Sequence, residues 1–229
     1  MSIVMYDLVG VDDRRFSPHC WRARMALAHK GLDCETRATR FTDIQTICDR
    51  QQKTLPVLQD GDNIICDSWE IAWYLEHTYP DRPSLFGGDA GRSLCVFIQN
   101  WTGAIVQVGL VRMIISDIHG HLLPEDQDYF RASREKRFGR SLEDAQADRE
   151  QRVEEFRKSL NPLRMTVRTQ PFISGDHPLY ADYLVFGAFQ WARTISPFRI
   201  LEDDDPVRSW FERCLDLYEG LGRNAPGYY

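Results

Sequence analysis

At 229 residues, 43% hydrophobic and 27% charged, the chain has room for one large domain or two small ones, each with its own core. A net charge of −6 with no basic stripe argues against nucleic acid as the main partner. No uninterrupted apolar run approaches the roughly twenty residues of a membrane helix, so no membrane partner is expected.

The first residues, Met1 to Asp7, lack a basic stretch and meet an acid early, unlike a signal peptide. The cysteines Cys20, Cys34, Cys48, Cys66, Cys95 and Cys214 are scattered without a CxxC pair, which disfavours a disulfide framework or a zinc site. A reduced, cytoplasmic compartment fits that usage.

Ile3 to Val9 reads as a buried strand, and Val11 to Arg15 as a charged loop. Ser17 then has the character of an N-cap, with Pro18 at the first helical position and Trp21, Met25 and Ala28 on one helical face. Lys30-Gly31 closes that helix. The outcome is a hydroxyl beside unpaired backbone N–H groups at the positive end of a helix, a place that stabilises an anion.

Cys34 to Thr39 is a weakly patterned second strand, and Phe41 to Gln52 a polar loop with a short helix. Leu55 to Gln59 and Asn63 to Cys66 form two short strands about an Asp60-Gly61 turn. Pro56 cannot donate to a sheet ladder, so it marks an edge or a special turn, a cis bond among the options. Asp67-Ser68-Trp69-Glu70 starts a helix like a capping box, and the helix stops before Pro80. The order βαβ–ββα within about 80 residues is an α/β unit.

Pro83, Gly87, Gly88 and Gly91 mark a linker, and everything after it reads as helical. Residues 1–82 and 91–229 are therefore expected as two domains. Leu94 to Ile118 is a long apolar helix with a break expected at Gly103 or Gly109. His119 to Arg140 shows no periodicity. Ser141 to Arg168 spaces its apolar residues at Leu142, Ala145, Val153, Phe156 and Leu160. Tyr180 to Thr194 has the composition of a core helix, and Asp205-Pro206 opens a last one ending near Gly220. The acidic run Glu202 to Asp205 reads as a solvated loop ending in a cap, and His119-Gly120-His121 as loop histidines without metal-site companions.

The α/β unit before an all-helical part, the Ser17-Pro18 helix start, and Leu55-Pro56-Val57-Leu58 followed by Asp67-Ser68 together resemble the glutathione transferase superfamily over nearly the whole chain. Ser17 to Arg22 and Ser133 to Asp144 are similar to bacterial β-etherases that cleave lignin-type aryl ethers, and to fungal serine-type transferases. Tyr180 to Leu184 resembles the family's core-helix start, with Leu179 where a Ser, Thr or Asn is usual.

The resemblance implies a thioredoxin-like domain, glutathione as co-substrate, a small aromatic substrate and a homodimer. It implies Ser17 as the residue that stabilises the glutathione thiolate, since a hydroxyl donor at a helix N-terminus lowers a thiol pKa. On spacing alone Ser17 is an N-cap only. The backbone of Leu55 before Pro56 would pair with the cysteinyl part of glutathione, and Asp67 and Ser68 with its γ-glutamyl ammonium and carboxylate. Thr54 or Lys53 would reach the glycyl carboxylate. Cys20 occupies the place of the second, buried cysteine of a Cys-x-x-Cys oxidoreductase; without the first cysteine it reads as a core residue. The Arg134 to Arg140 stretch has the charge to bind an anion, and its match to the etherases would set it near the substrate mouth, but with Glu135, Glu143 and Asp144 nearby it reads first as a salt-bridged surface. Two other uses of the same fold are a low-turnover carrier of aromatic compounds and a glutathione-dependent peroxidase or reductase.

Overall fold

A computed structural model describes residues 3–49 and 53–229. Four strands, β1 (Ile3–Leu8), β2 (Cys34–Thr39), β3 (Val57–Asp60) and β4 (Asn63–Cys66), form one mixed sheet in the order β2-β1-β3-β4. β1 and β2 are parallel, joined across α1 (Pro18–His29); β3 lies antiparallel to both β1 and β4. Parallel neighbours need a crossover of this kind, whereas the β3–β4 pair needs only a hairpin. Asp60 pairs with Asn63, so the two loop residues are Gly61 and Asp62, one position later than expected. Gly61 takes φ +59°, which its missing Cβ allows. β2 is weakly patterned because it is an edge strand whose residues Glu35 to Ala38 are exposed.

The polar stretch after β2 forms 3₁₀ turns over Phe41–Asp49; the last part of the expected Phe41 to Gln52 loop, residues 50–52, lies outside the described residues. α2 (Ser68–Thr78) packs back on α1, and the buried Lys30 at the end of α1 pairs with Glu76 of α2 at 2.7 Å.

The rest is helical: α3 (Asp89–Trp101), α4 (Val108–Gly120), α5 (Pro124–Phe138), α6 (Leu142–Gln146), α7 (Arg149–Ser159), α8 (Asn161–Thr169), α9 (Tyr180–Ile195) and α10 (Pro206–Gly220). α3 and α4 are one helical run interrupted by a π-helical stretch, Thr102–Gln107, that contains Gly103. Gly109, the other expected break, is regular helix with the ring of Phe156 packed onto it. The run Asp89–Gly120 is, by length and composition, apolar enough to cross a membrane, although Asn100, Gln107 and Arg112 interrupt its apolar residues. Its inner residues Val106, Leu110, Met113, Ile114 and Ile115 are buried in the helical core, while Leu94, Val96, Phe97, Ile105 and Val108 are exposed.

α9 is the centre of the helical part, with nearly every side chain buried. Leu179 offers no hydroxyl cap, yet the Asp182 carboxylate still accepts from Leu179 N–H (3.2 Å), and also from Ile173 N–H (2.7 Å) and Trp210 Nε1 (2.9 Å). α9 packs along α1. At the crossing stands Gly187, where a Cβ would overlap the Pro18 carbonyl. Trp21 meets Phe186 edge-on with ring centroids 6.1 Å apart, and Arg22 Nε donates to the Leu184 carbonyl at 3.2 Å. The start of α1 is thus held against the most buried helix of the molecule.

Candidate active site

Ser17 caps α1: its Oγ accepts from Cys20 N–H at 3.3 Å, and its carbonyl accepts from Trp21 N–H. Pro18 at the first helical position has no N–H to satisfy. Ser17 stands on the wall of a cavity of about 800 Å³ between the sheet-bearing and helical parts. The wall also carries Thr54 and Leu55 from the segment before β3, the aromatic rings of Phe16, Phe41, Tyr129, Phe130 and Trp191, and an apolar ladder of Val108, Val111, Ile115 and Ile118 from α4. The π-helical stretch contributes Gly103 and Gln107 to the same wall. Such a widened turn re-aims side chains relative to a regular helix.

The Leu55–Pro56 bond is cis, which selects one of the two alternatives left open by the sequence; β3 is an inner strand, not an edge. The Pro56 carbonyl accepts from Asp67 N–H at 3.2 Å, so the cis-proline turn and the start of α2 lie side by side. Asp67 Oδ1 accepts from Trp69 N–H at 2.7 Å and caps α2. Its φ of +76° is a conformation that costs a non-glycine residue on the order of 1–3 kcal/mol. Ser68 is buried, and its carbonyl accepts from the Tyr180 hydroxyl of α9 at 2.7 Å. The structure therefore gathers Ser17, Thr54 and Leu55 on one cavity wall, with Pro56, Asp67 and Ser68 adjoining it through that turn.

Cys20 is 1% exposed, and burial, aided by the neighbouring Asp7 carboxylate, pushes its thiol well above the ordinary range. Asp7 is itself buried, and burial raises its carboxyl against the pull of Arg24 (3.6 Å) and Arg15 (3.7 Å). A thiol so placed is a poor nucleophile. His19, beside Ser17 on the cavity wall, is pushed down to about 3 by burial and by the Arg22 guanidinium. Arg22 Nη1 lies 3.2 Å from His19 Nδ1. Arginine only donates, so Nδ1 accepts and the ring proton sits on Nε2.

The sequence offers anion binding by the Arg134 to Arg140 stretch only as the lesser alternative to a salt-bridged surface, and the structure puts two of its arginines on the cavity wall. The Arg134 to Arg140 stretch is not a salt-bridged surface throughout. Glu135 and Glu143 both pair with Arg131, each at 2.9 Å, and Asp144 accepts from the Ser141 hydroxyl at 2.7 Å. Arg134 and Arg137, one turn apart on α5, face the cavity instead. Their i, i+3 spacing sets them side by side on a helix, but Arg131 stands in the same spacing to Arg134, so sequence alone does not tell which of the three meets an acid. The histidines of His119-Gly120-His121 end α4 and follow it directly, with His121 held by the Asp117 carbonyl and the Tyr228 hydroxyl. Among the described residues, no group of His, Cys, Asp and Glu has metal-binding geometry.

An N-capping serine on a cavity between a small mixed sheet and a helical part, next to a cis-proline turn, marks out a class of protein by its architecture. The comparisons name that class. The model of the glutathione S-transferase C-terminal domain matches residues 93–218, and that of the N-terminal domain residues 13–83. A glutathione S-transferase of Ceriporiopsis subvermispora, solved in complex with glutathione, superposes with a TM-score of 0.82 at 26% identity, over 99% of both chains. Glutathione transferase GSTFuA3 of Phanerochaete chrysosporium superposes with a TM-score of 0.78 at 26% identity, over 96% of this chain and 92% of that one. The glutathione S-transferase-like protein ustS of Aspergillus flavus is 22% identical over 210 residues, 78% of this chain and 75% of the relative. The chain belongs to the glutathione S-transferase family: it is a glutathione transferase, with glutathione as co-substrate.

Proposed function

We propose that Ser17 stabilises the glutathione thiolate and that the thiolate attacks an electrophilic carbon of an aromatic substrate, in the manner of a β-etherase. The observation that carries this reading is Ser17 at the head of α1 on the wall of a large cavity lined by five aromatic rings. A hydroxyl donor together with first-turn amides favours the anion of a thiol. Leu55 before Pro56, with Asp67 and Ser68, holds the glutathione backbone and γ-glutamyl group, and Thr54 or Lys53 its glycyl carboxylate. Support for this arrangement comes from the adjacency of the two turns through the Asp67–Pro56 hydrogen bond, and from the glutathione complex of the Ceriporiopsis subvermispora relative.

In ether cleavage, the C–S bond forms as the C–O bond breaks, the electron pair leaves with the phenolate, and no redox partner is needed. Bringing thiolate and ether together in one cavity supplies most of the acceleration. The buried, high-pKa Cys20 speaks against a reductase that works through a protein thiol. The exposed stripe Leu94, Phe97, Ile105 and Val108 on the α3–α4 run supports a homodimer, because a second copy would cover it.

The test is product analysis by liquid chromatography with glutathione and a β-aryl ether bearing an α-ketone. Release of the phenol with formation of the glutathione thioether is expected, and far slower reaction of the corresponding alcohol, whose carbon is less activated. Tight aromatic binding with no ether cleavage across a panel would leave the carrier reading. Turnover of an aryl halide alone would leave a transferase without the etherase specificity.

A further inference from the structure

Arg134 is a half-buried cation in an aromatic wall, without a counter-charge among the described residues. Its guanidinium stacks over the Phe130 ring at 4.7 Å and lies 5.8 Å from the Phe41 ring centroid. Of its five N–H donors, Nη1 donates to the Ser133 hydroxyl at 2.9 Å, and among the described residues no carboxylate lies within ion-pair distance. Among the described residues, those of the cavity wall include Lys53, Arg134 and Arg137 but no Asp or Glu, although the chain as a whole is acidic. Burial disfavours the charged form of Arg134. A guanidinium so placed is braced by the two rings, and it stands on the cavity wall with one hydrogen bond to a neutral hydroxyl. It lacks the bidentate carboxylate that arginines in closed sites normally find.

We infer that Arg134 binds an anionic group, a carboxylate or sulfonate, carried by the aromatic substrate itself. This rests on the reading that the cavity takes an aromatic second substrate, and narrows that substrate to aromatic acids. The stacked guanidinium pairs with the acid group, Phe130 and Phe41 flank the ring that bears it, and Arg137, exposed one turn further along α5, adds positive potential at the mouth. The same chemistry has a second source, the glycyl carboxylate of glutathione. Lys53, adjacent to Thr54 and Leu55 on the same wall, is the cation placed for that group.

Binding, without turnover, decides the matter. Calorimetric titrations would use para-phenoxybenzoate and its uncharged methyl ester, with and without saturating glutathione, and glutathione alone, on the full chain. The wild-type protein should bind the acid about tenfold or more tightly than the ester, the size of one charge-assisted hydrogen bond. Arg134→Met should erase that preference and leave ester and glutathione affinity unchanged, which also shows that the site is folded; Arg134→Lys should keep part of it. An acid preference that survives in Arg134→Met overturns the inference. So does a loss of glutathione affinity in Arg134→Met with the acid preference intact, which assigns Arg134 to the glycyl carboxylate. Because no ether is cleaved in these measurements, failure of the etherase reading leaves them readable.

Discussion

A β-carbon on residue 187 would overlap the carbonyl oxygen of Pro18: the core helix of one part and the Ser17-capped helix of the other touch where only a glycine fits. The obstruction is backbone, which cannot swing aside as a flexible side chain would. Gly187→Ala should therefore push α1 away from α9 and destabilise the protein by about 1–3 kcal/mol, the usual range for overpacking a core. Thermal or urea unfolding would measure it. An unchanged midpoint would mean that the two helices have slack the contact does not suggest.

Ser17→Ala removes both a cap and the proposed thiolate donor. Stability should fall by about 1 kcal/mol from the lost Cys20 N–H partner. Glutathione conjugation should slow, and part of the rate should return as the pH rises, because first-turn amides still favour the thiolate. A pH–rate profile of the mutant identical in shape to the wild type would remove Ser17 from thiolate stabilisation and leave it a cap.

Ser68→Ala should weaken glutathione binding about tenfold or more, since a hydroxyl donor to a charged group is worth roughly 1.5–3 kcal/mol. Titration calorimetry reads the affinity directly. Cys20→Ala serves as the control: this buried thiol should cost some packing stability and leave conjugation intact.

His19 gives a pH signature. In the unfolded chain it takes a proton near pH 6.5, whereas in the folded protein burial and Arg22 hold that event down to about 3. The unfolded state therefore binds the additional proton first. Stability from this group is complete above pH 6.5 and is lost as the pH falls toward 3, at up to about 1.4 kcal/mol per pH unit. His19→Gln should flatten that part of the stability curve. Parallel curves for mutant and wild type between pH 4 and 7 would refute the assignment.

The parts of the fold that the sequence makes legible are those with a short period and a dominant face. β1 and α9 are buried along nearly their whole length, so their apolar runs announce them. The break in the α3–α4 run is half legible: two glycines in an apolar helix offer it, Gly103 takes it, and Gly109 stays helical under the ring of Phe156. α5 escapes notice for the opposite reason. Only Asp126 and Phe130 of its fifteen residues are buried, and one of these is an acid. The Asp126 carboxylate accepts from Phe41 N–H, Thr42 N–H and the Thr42 hydroxyl, each at about 3 Å, capping a turn some 85 residues earlier. A partner so distant leaves no local pattern. The same holds for Arg134: nearby acids look like its partners in sequence, and only the folded arrangement shows that Arg131 and Ser141 already hold them.

The crossing of α1 and α9 has a consequence for how the molecule comes apart. Trp21 on Phe186, Arg22 on the Leu184 carbonyl and Tyr180 on the Ser68 carbonyl all span the two parts of the chain. Severing the 81–88 connection would thus leave two fragments, each with a raw apolar face and orphaned polar groups. Neither half is a spare part that could be exchanged on its own. The sheet and the helices should melt together in a single cooperative transition, and the cavity between them exists only while both are intact.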